Sequence, residues 1–265
     1  FELDKEMHKA VFDYAAGKGL FAFSTPSHAS DIDLLEELDV GAHKIGSDDA
    51  VNTPLLKYVA RTGKPVLLST GMCTMSEVER SLNILLEEGN DQIVLFHCTT
   101  NYPTYLESVN MGAMVAMQKR LGVPVGYSDH TLGIDVCYTA AVLGASILEF
   151  HFTHDKTAEG PDHMLSKTPE ETVALVEKLR ALPMLMGDGI KRPMPSEMNT
   201  LRNNRKSLVL TQPVIKGEKL GPNNVEIKRP GFGIPPNQFE SILGKSAKVD
   251  IPDGTVISYK MINAK

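Results

Sequence analysis

Lys44 interrupts an apolar run, Ala42-His43-Lys44-Ile45. Burying a lone ammonium is costly, so Lys44 must meet a carboxylate or an anion. Small hydroxyl donors stand at the ends of this and two similar runs: Ser47, Ser69 and Ser128. Gathered with Lys44 they suit a phosphate or a carboxylate, since charge-assisted hydrogen bonds to such oxygens are the strong ones. Taken singly, each serine suits a helix cap or a turn. His130 and His151 close two consecutive apolar runs and lie 21 residues apart. Two imidazoles, waters and one carboxylate make a site for a divalent ion; the alternative is a pair of satisfied polar histidines. His43 is expected to face away from Lys44, towards helices. Met72 and Phe152 are expected to pack as wall. Lys228-Arg229-Pro230-Gly231 is either a fixed cation on a rigid turn or a solvated loop.

Such groups need strands that end together. Six short apolar runs recur at Leu20–Ser24, Ala42–Ile45, Pro65–Ser69, Ile93–His97, Pro124–Ser128 and Ser146–His151. Segments of helical character separate them. Thr74-x-x-Glu77 reads as a capping box for a helix over Glu77–Glu88. Thr168-Pro169-Glu170-Glu171 supplies a cap, a first-turn proline and early acids. Ser108–Arg120 and Thr131–Leu143 fill two more gaps, and Lys5–Gly17 precedes the first run. Apolar strands alternating with helices predict a parallel sheet with helical crossovers. The repeat favours a (β/α)₈ TIM barrel, whose reactive groups sit at the carboxyl ends of its strands. The chain has no G-x-G-x-x-G fingerprint or P-loop, which argues against a nucleotide-binding doubly wound sheet.

The 265 residues fit a large domain plus a small one. Texture changes near residue 187: nine of the 16 prolines lie from Pro183 onward, among short strand-like runs and turns. The expected layout is a partial barrel over 1–187, a linker over 188–204 and a mostly-β module over 205–265. Charge divides at the same place. Residues 1–187 hold 14 basic and 26 acidic side chains; residues 188–265 hold 13 and 7. A basic module suggests nucleic acid, a cap over an anionic substrate, or docking of complementary surfaces. Its aromatics are few and its cations spread out, which disfavours nucleic acid. Cys73, Cys98 and Cys137 are widely spaced and odd in number, so a cytoplasmic protein without disulfides is expected. No apolar run is long enough for a membrane span.

The motifs Lys44-Ile45-Gly46-Ser47, Leu68-Ser69-Thr70-Gly71-Met72, His97-Cys98-Thr99-Thr100-Asn101-Tyr102-Pro103, Gly126-Tyr127-Ser128-Asp129-His130-Thr131, Gly160-Pro161-Asp162-His163 and Lys228-Arg229-Pro230-Gly231 occur in order. Together with Phe23–Pro26, His151–Thr153 and Arg205–Leu208 they resemble the sialic acid synthase family. The resemblance implies a (β/α)₈ barrel followed by a small antifreeze-like (SAF) domain. Against eight units, six runs lead to the expectation that two βα units, with an acidic residue on the first strand, precede Phe1. It implies condensation of phosphoenolpyruvate with an N-acetylated hexosamine, N-acetylmannosamine or a diacetamido sugar, to a nonulosonic acid and phosphate. The alternative is a truncated or degenerate member that binds without turnover. It implies Mn²⁺ or Mg²⁺ on His130 and His151, and a domain-swapped homodimer. By resemblance Lys44, Ser47, Ser69 and Ser128, with Thr25 nearby, hold phosphoenolpyruvate. Tyr102, Asp49 and Asp162 lie on the sugar side, and Arg229 reaches the sugar in a partner's site. The chain departs from the family at Asp48-Asp49, where Gly-Glu is frequent, at Phe150, where a basic residue is usual, and at His43.

Overall fold

A computed structural model describes residues 3–263. The chain divides into two compact units, Phe1–Gly187 and Asp188–Lys265.

The first unit alternates helices and strands in the order α1 (Lys5–Gly17), α2 (Ala29–Glu37), β1 (His43–Ile45), α3 (Thr53–Ala60), β2 (Val66–Ser69), α4 (Met75–Glu87), β3 (Ile93–Cys98), α5 (Leu106–Val109), α6 (Met111–Leu121), β4 (Val125–Asp129), α7 (Asp135–Val142), β5 (Leu148–Phe150) and α8 (Pro169–Met186). The five strands form one parallel sheet in chain order, curled as half of a barrel. Its register pairs Lys44 with Leu67, Ser69 with Phe96, Cys98 with Ser128 and Ser128 with Glu149. Crossovers bury the strands from the helical side, so β1 to β4 are almost wholly buried. The core runs from Ile32 and Leu56 through Leu68, Leu85 and Leu95 to Met114 and Tyr127.

Local chemistry sets the helix starts. Thr74 and Glu77 form the expected capping box on α4, and Thr168 and Glu171 form one on α8. Three expectations are corrected. Leu20–Ser24 is not a strand: the amide of Lys44 donates to the Ser24 carbonyl at 3.3 Å, while Leu20 and Phe21 are exposed. One ladder bond, with no second strand beside it among the described residues, does not complete a strand. The helix expected over Ser108–Arg120 is two helices, because Asn110 takes the left-handed conformation (φ 49°) and caps α6. The segment expected over Thr131–Leu143 is helical only from Asp135, since Thr131 is held back by Asp129.

In the second unit the segment expected as a linker carries a 3₁₀ turn at Pro195–Glu197 and α9 (Met198–Asn204). Strands β6 (Ser207–Leu210) and β7 (Val225–Lys228) pair antiparallel. A 3₁₀ turn then leads into α10 (Phe239–Ile242). The runs near Ala247–Ile251 and Val256–Ser258 make single bridges, Val214–Ile251, Val209–Val256 and Ala247–Ile262, rather than strands. This unit has its own core, which includes Leu208, Leu220, Ile234, Ile251 and Ile257.

Candidate functional site

The carboxyl ends of β1 to β5 surround a cavity of about 330 Å³. Lys44, Ser47, Ser69, Tyr102, Ser128, His130 and His151 all line it. They come from strands far apart in sequence and meet because the parallel register puts the strand ends at one level.

Lys44 is buried on β1, with its ammonium 2.7 Å from Ser69 Oγ and 3.5 Å from Glu149 Oε2. It also lies 5.5 Å from the centre of the Phe96 ring. Ser128 Oγ donates to Glu149 Oε1 at 2.8 Å. The backbone N–H of Gly71 donates to Ser47 Oγ at 3.0 Å. Gly71 has no room for a side chain: a Cβ there would stand 2.6 Å from Thr100 Cγ2 and 2.9 Å from Ser47 Oγ. One ammonium and three hydroxyls therefore converge, and Glu149 is the carboxylate that offsets the charge of Lys44. An incoming phosphate or carboxylate would take over those donors.

The imidazoles stand on the other side. The ring centres of His130 and His151 are 5.2 Å apart, and Tyr102 packs 4.1 Å from His130. His130 Nδ1 bonds the Thr99 carbonyl at 3.0 Å, which makes that nitrogen the donor and leaves Nε2 with its lone pair. His151 Nδ1 is 3.5 Å from Asp162 Oδ2. Burial lowers the pKa of His130, the Thr99 carbonyl opposes this, and His151 lowers it further. The ring is thus held in the neutral form that binds metal. His130 is oriented by its Nδ1 bond, and His151 stands beside it with Asp162 near its Nδ1; an imidazole oriented in this way suits a divalent cation. No cluster of three His, Cys, Asp or Glu suited to a metal occurs among the described residues. The remaining coordination positions would fall to water or substrate oxygens.

Other expected residues sit elsewhere. Asp49 does not line the cavity, since its carboxylate accepts from Asn52, the cap of α3; its neighbour Asp48 lines it instead. Thr25 is exposed near Gly46 and lines a separate cleft with Pro26 and Asp31. Asp162 touches the site only through His151. Arg229 belongs to the second unit, where its Nε donates to the Asn204 carbonyl at 3.2 Å. His43 does face α2 and bonds Glu36 Oε1 at 2.8 Å. Met72 and Phe152 are exposed rather than packed as wall, and Met72 lines the cavity in the left-handed conformation (φ 65°).

Glu149 and Cys98 are among the lining residues that the sequence did not single out. Glu149 shares a strand face with His151 by simple alternation, and Lys44 needed a carboxylate; together these were a usable signal. Cys98 is a buried thiol whose pKa burial pushes up, 3.9 Å from His130 Nδ1. Nothing in its spacing marked it.

The chain is similar to known proteins over nearly its whole length. The NeuB family matches residues 1–191 and the SAF domain matches residues 205–263. An N,N'-diacetyllegionaminic acid synthase of Campylobacter jejuni is 40% identical over 97% of this chain and 77% of its own length. Human N-acetylneuraminate-9-phosphate synthase is 30% identical over 99% of this chain and 74% of its own. The crystal structure of N-acetylneuraminic acid synthetase from Leptospira borgpetersenii, in complex with citrate, superposes with a TM-score of 0.71 at 31% identity. That match covers 75% of this chain and 70% of the other. The lysine-and-serine cluster, the paired imidazoles and these matches lead to one conclusion: the chain belongs to the NeuB family.

Proposed function

We propose that the protein condenses phosphoenolpyruvate with an N-acetylated amino sugar to a nonulosonic acid, releasing phosphate. The observation that carries this is the single cavity in which Lys44, Ser47, Ser69 and Ser128 face His130 and His151. Relatives named as synthases of legionaminic and N-acetylneuraminic-type acids support it.

Lys44 and the three serines bind the phosphate and carboxylate of phosphoenolpyruvate and fix its C3 towards the imidazole side. C3 forms the new bond to the aldehyde carbon of the open-chain sugar, whose oxygen takes up the electron pair and then a proton. Water adds at C2, and the resulting tetrahedral intermediate expels phosphate. Lys44 and Ser128 both exchange Glu149 for the substrate anion, so the carboxylate that holds them in the empty cavity gives way to it. A divalent ion on His130 and His151 would supply Lewis-acid polarisation of a carbonyl oxygen. Two nitrogen donors suit Mn²⁺ better than Mg²⁺, which prefers oxygen. Tyr102 and Asp162 flank the sugar. Arg229 reaches the sugar across a homodimer, as the family resemblance implies, and the free cysteines suit a cytoplasmic setting.

The test is release of inorganic phosphate from phosphoenolpyruvate with Mn²⁺ and N-acetylmannosamine or a diacetamido sugar. Turnover with at least one is expected. Binding of phosphoenolpyruvate without turnover on any of them would favour a binding protein. His130→Ala with His151→Ala should abolish turnover and Mn²⁺ binding and leave melting within a few degrees. Unchanged Mn²⁺ affinity by calorimetry would refute the two-histidine site.

A further inference from the structure

One buried residue outside β4 and β5 ties together the ends of both strands. Lys167 precedes α8 and is fully buried. Its ammonium lies 2.9 Å from Asp129 Oδ2 and donates to the Thr131 carbonyl at 2.7 Å. Asp129 and Thr131 are the two neighbours of His130. The backbone N–H of Lys167 donates to the His151 carbonyl at 2.7 Å, and its carbonyl accepts from the N–H of Thr153 at 3.0 Å. Lys167 also forms a parallel bridge with Phe152. Its side chain thus holds both neighbours of His130, and its backbone holds the carbonyl of His151 and the chain that follows it.

The far end of the tie is rigid. Asp129 is fully buried, and its Oδ1 accepts from the Thr131 N–H at 3.1 Å, the Thr131 hydroxyl at 2.8 Å and the Tyr127 hydroxyl at 3.2 Å. Its Oδ2 accepts from the Cys137 thiol at 3.3 Å as well as from Lys167. An apolar side chain would fill the place of Lys167 with less desolvation. What an apolar residue lacks is direction. An ion pair with hydrogen bonds on every atom fixes the distance between the two strand ends.

We propose that Lys167 is a positioning residue: it sets the separation and aim of His130 and His151, and so the affinity of the site for a divalent ion. This rests on the reading of the two histidines as a metal pair. Lys167 touches neither substrate nor reacting atoms, and acts through the neighbours of His130 and through the backbone of His151 and Thr153.

The test compares the unsubstituted chain with Lys167→Met and with the double variant D129N/K167M. The single variant leaves a buried carboxylate unpaired and loses stability for that reason alone. The double variant removes the stranded charge and keeps the acceptor for Thr131. Two readouts are taken on the metal-free protein: Mn²⁺ affinity by calorimetry, and the ring-nitrogen resonances of His130 and His151. The expected result is a double variant that melts near the unsubstituted chain, binds Mn²⁺ at least about tenfold more weakly, as loss of an outer-shell partner does, and shows both rings shifted. A double variant with recovered melting, unshifted rings and unchanged Mn²⁺ affinity would overturn the proposal and leave Lys167 a structural residue. If the unsubstituted chain binds no Mn²⁺, the metal reading falls, and the ring resonances decide the positioning role by themselves.

Discussion

Lys44 is the residue on which the anion side of the site depends. It is buried, and its ammonium is shared between Ser69 and Glu149. Lys44→Met keeps the length of the side chain and removes the charge. It should lower kcat/KM for phosphoenolpyruvate by about 10²–10³, the range for loss of one electrostatic donor in a preorganised site. A loss under tenfold would place the phosphate elsewhere. A second consequence at this scale concerns pH. Burial lowers the pKa of His43, His97 and His130. A folded-state value below the unfolded value means that the unfolded chain binds protons first as pH falls. The stability these rings contribute is complete above pH ~6.5 and is lost as pH drops through the folded values. Urea midpoints should therefore hold between pH 8 and 7 and decline from about pH 6.5 towards 5. A midpoint that rose over that interval would contradict the neutral, buried state of these rings.

At the scale of elements, the site depends on how closely neighbouring strands approach. Gly126 lies on β4 beside Phe96 of β3. A Cβ at this position would stand 2.6 Å from the Ile147 carbonyl oxygen and 2.9 Å from Phe96 Cε1. The backbone oxygen cannot turn aside as a side chain can, so β4 and β5 would have to part. Gly126→Ala should cost about 1–3 kcal/mol, as overpacking of a dense interior does. It should also weaken Mn²⁺ binding, because β4 leads to His130 and β5 to His151. Chemical denaturation and calorimetry on one preparation would check both, and an unchanged midpoint would refute the close packing. The helices were easier to foresee than this contact. The capping boxes at Thr74 and Thr168 are local chemistry, written in four residues each. The break at Asn110 was not foreseen, because a left-handed residue inside a helical pattern depends on what the chain must reach next.

At the scale of the molecule, two cores stand in two units. The second unit gathers Leu208, Leu210, Val214, Leu220, Ile234, Ile251 and Ile257 with little regular strand to hold them. Domains near 60 residues bury about 60% of their unfolded surface and are marginally stable. Residues 205–263 expressed alone should nevertheless unfold in one cooperative transition, with a stability on the order of a few kcal/mol. A gradual, non-cooperative loss of circular dichroism would show that this core needs the rest of the chain. No helix among the described residues is long and apolar enough to cross a membrane.

The sequence alone determined the alternation of strands and helices, the cavity-lining lysine and serines, and the two histidines. These follow from periodicity, from the cost of burying Lys44 and from ordered motifs, all of which are local or additive along the chain. It did not determine that Asp48 rather than Asp49 faces the cavity, that Glu149 joins Lys44 to Ser128, or that Lys167 binds Asp129. Each of these pairs residues brought together only by the sheet register and the path of a loop. Lys44 and Glu149 are 105 positions apart, and Lys167 and Asp129 are 38 apart. A charge announces that it needs a partner, but which partner it finds is a matter of three-dimensional distance, which only the folded sheet supplies.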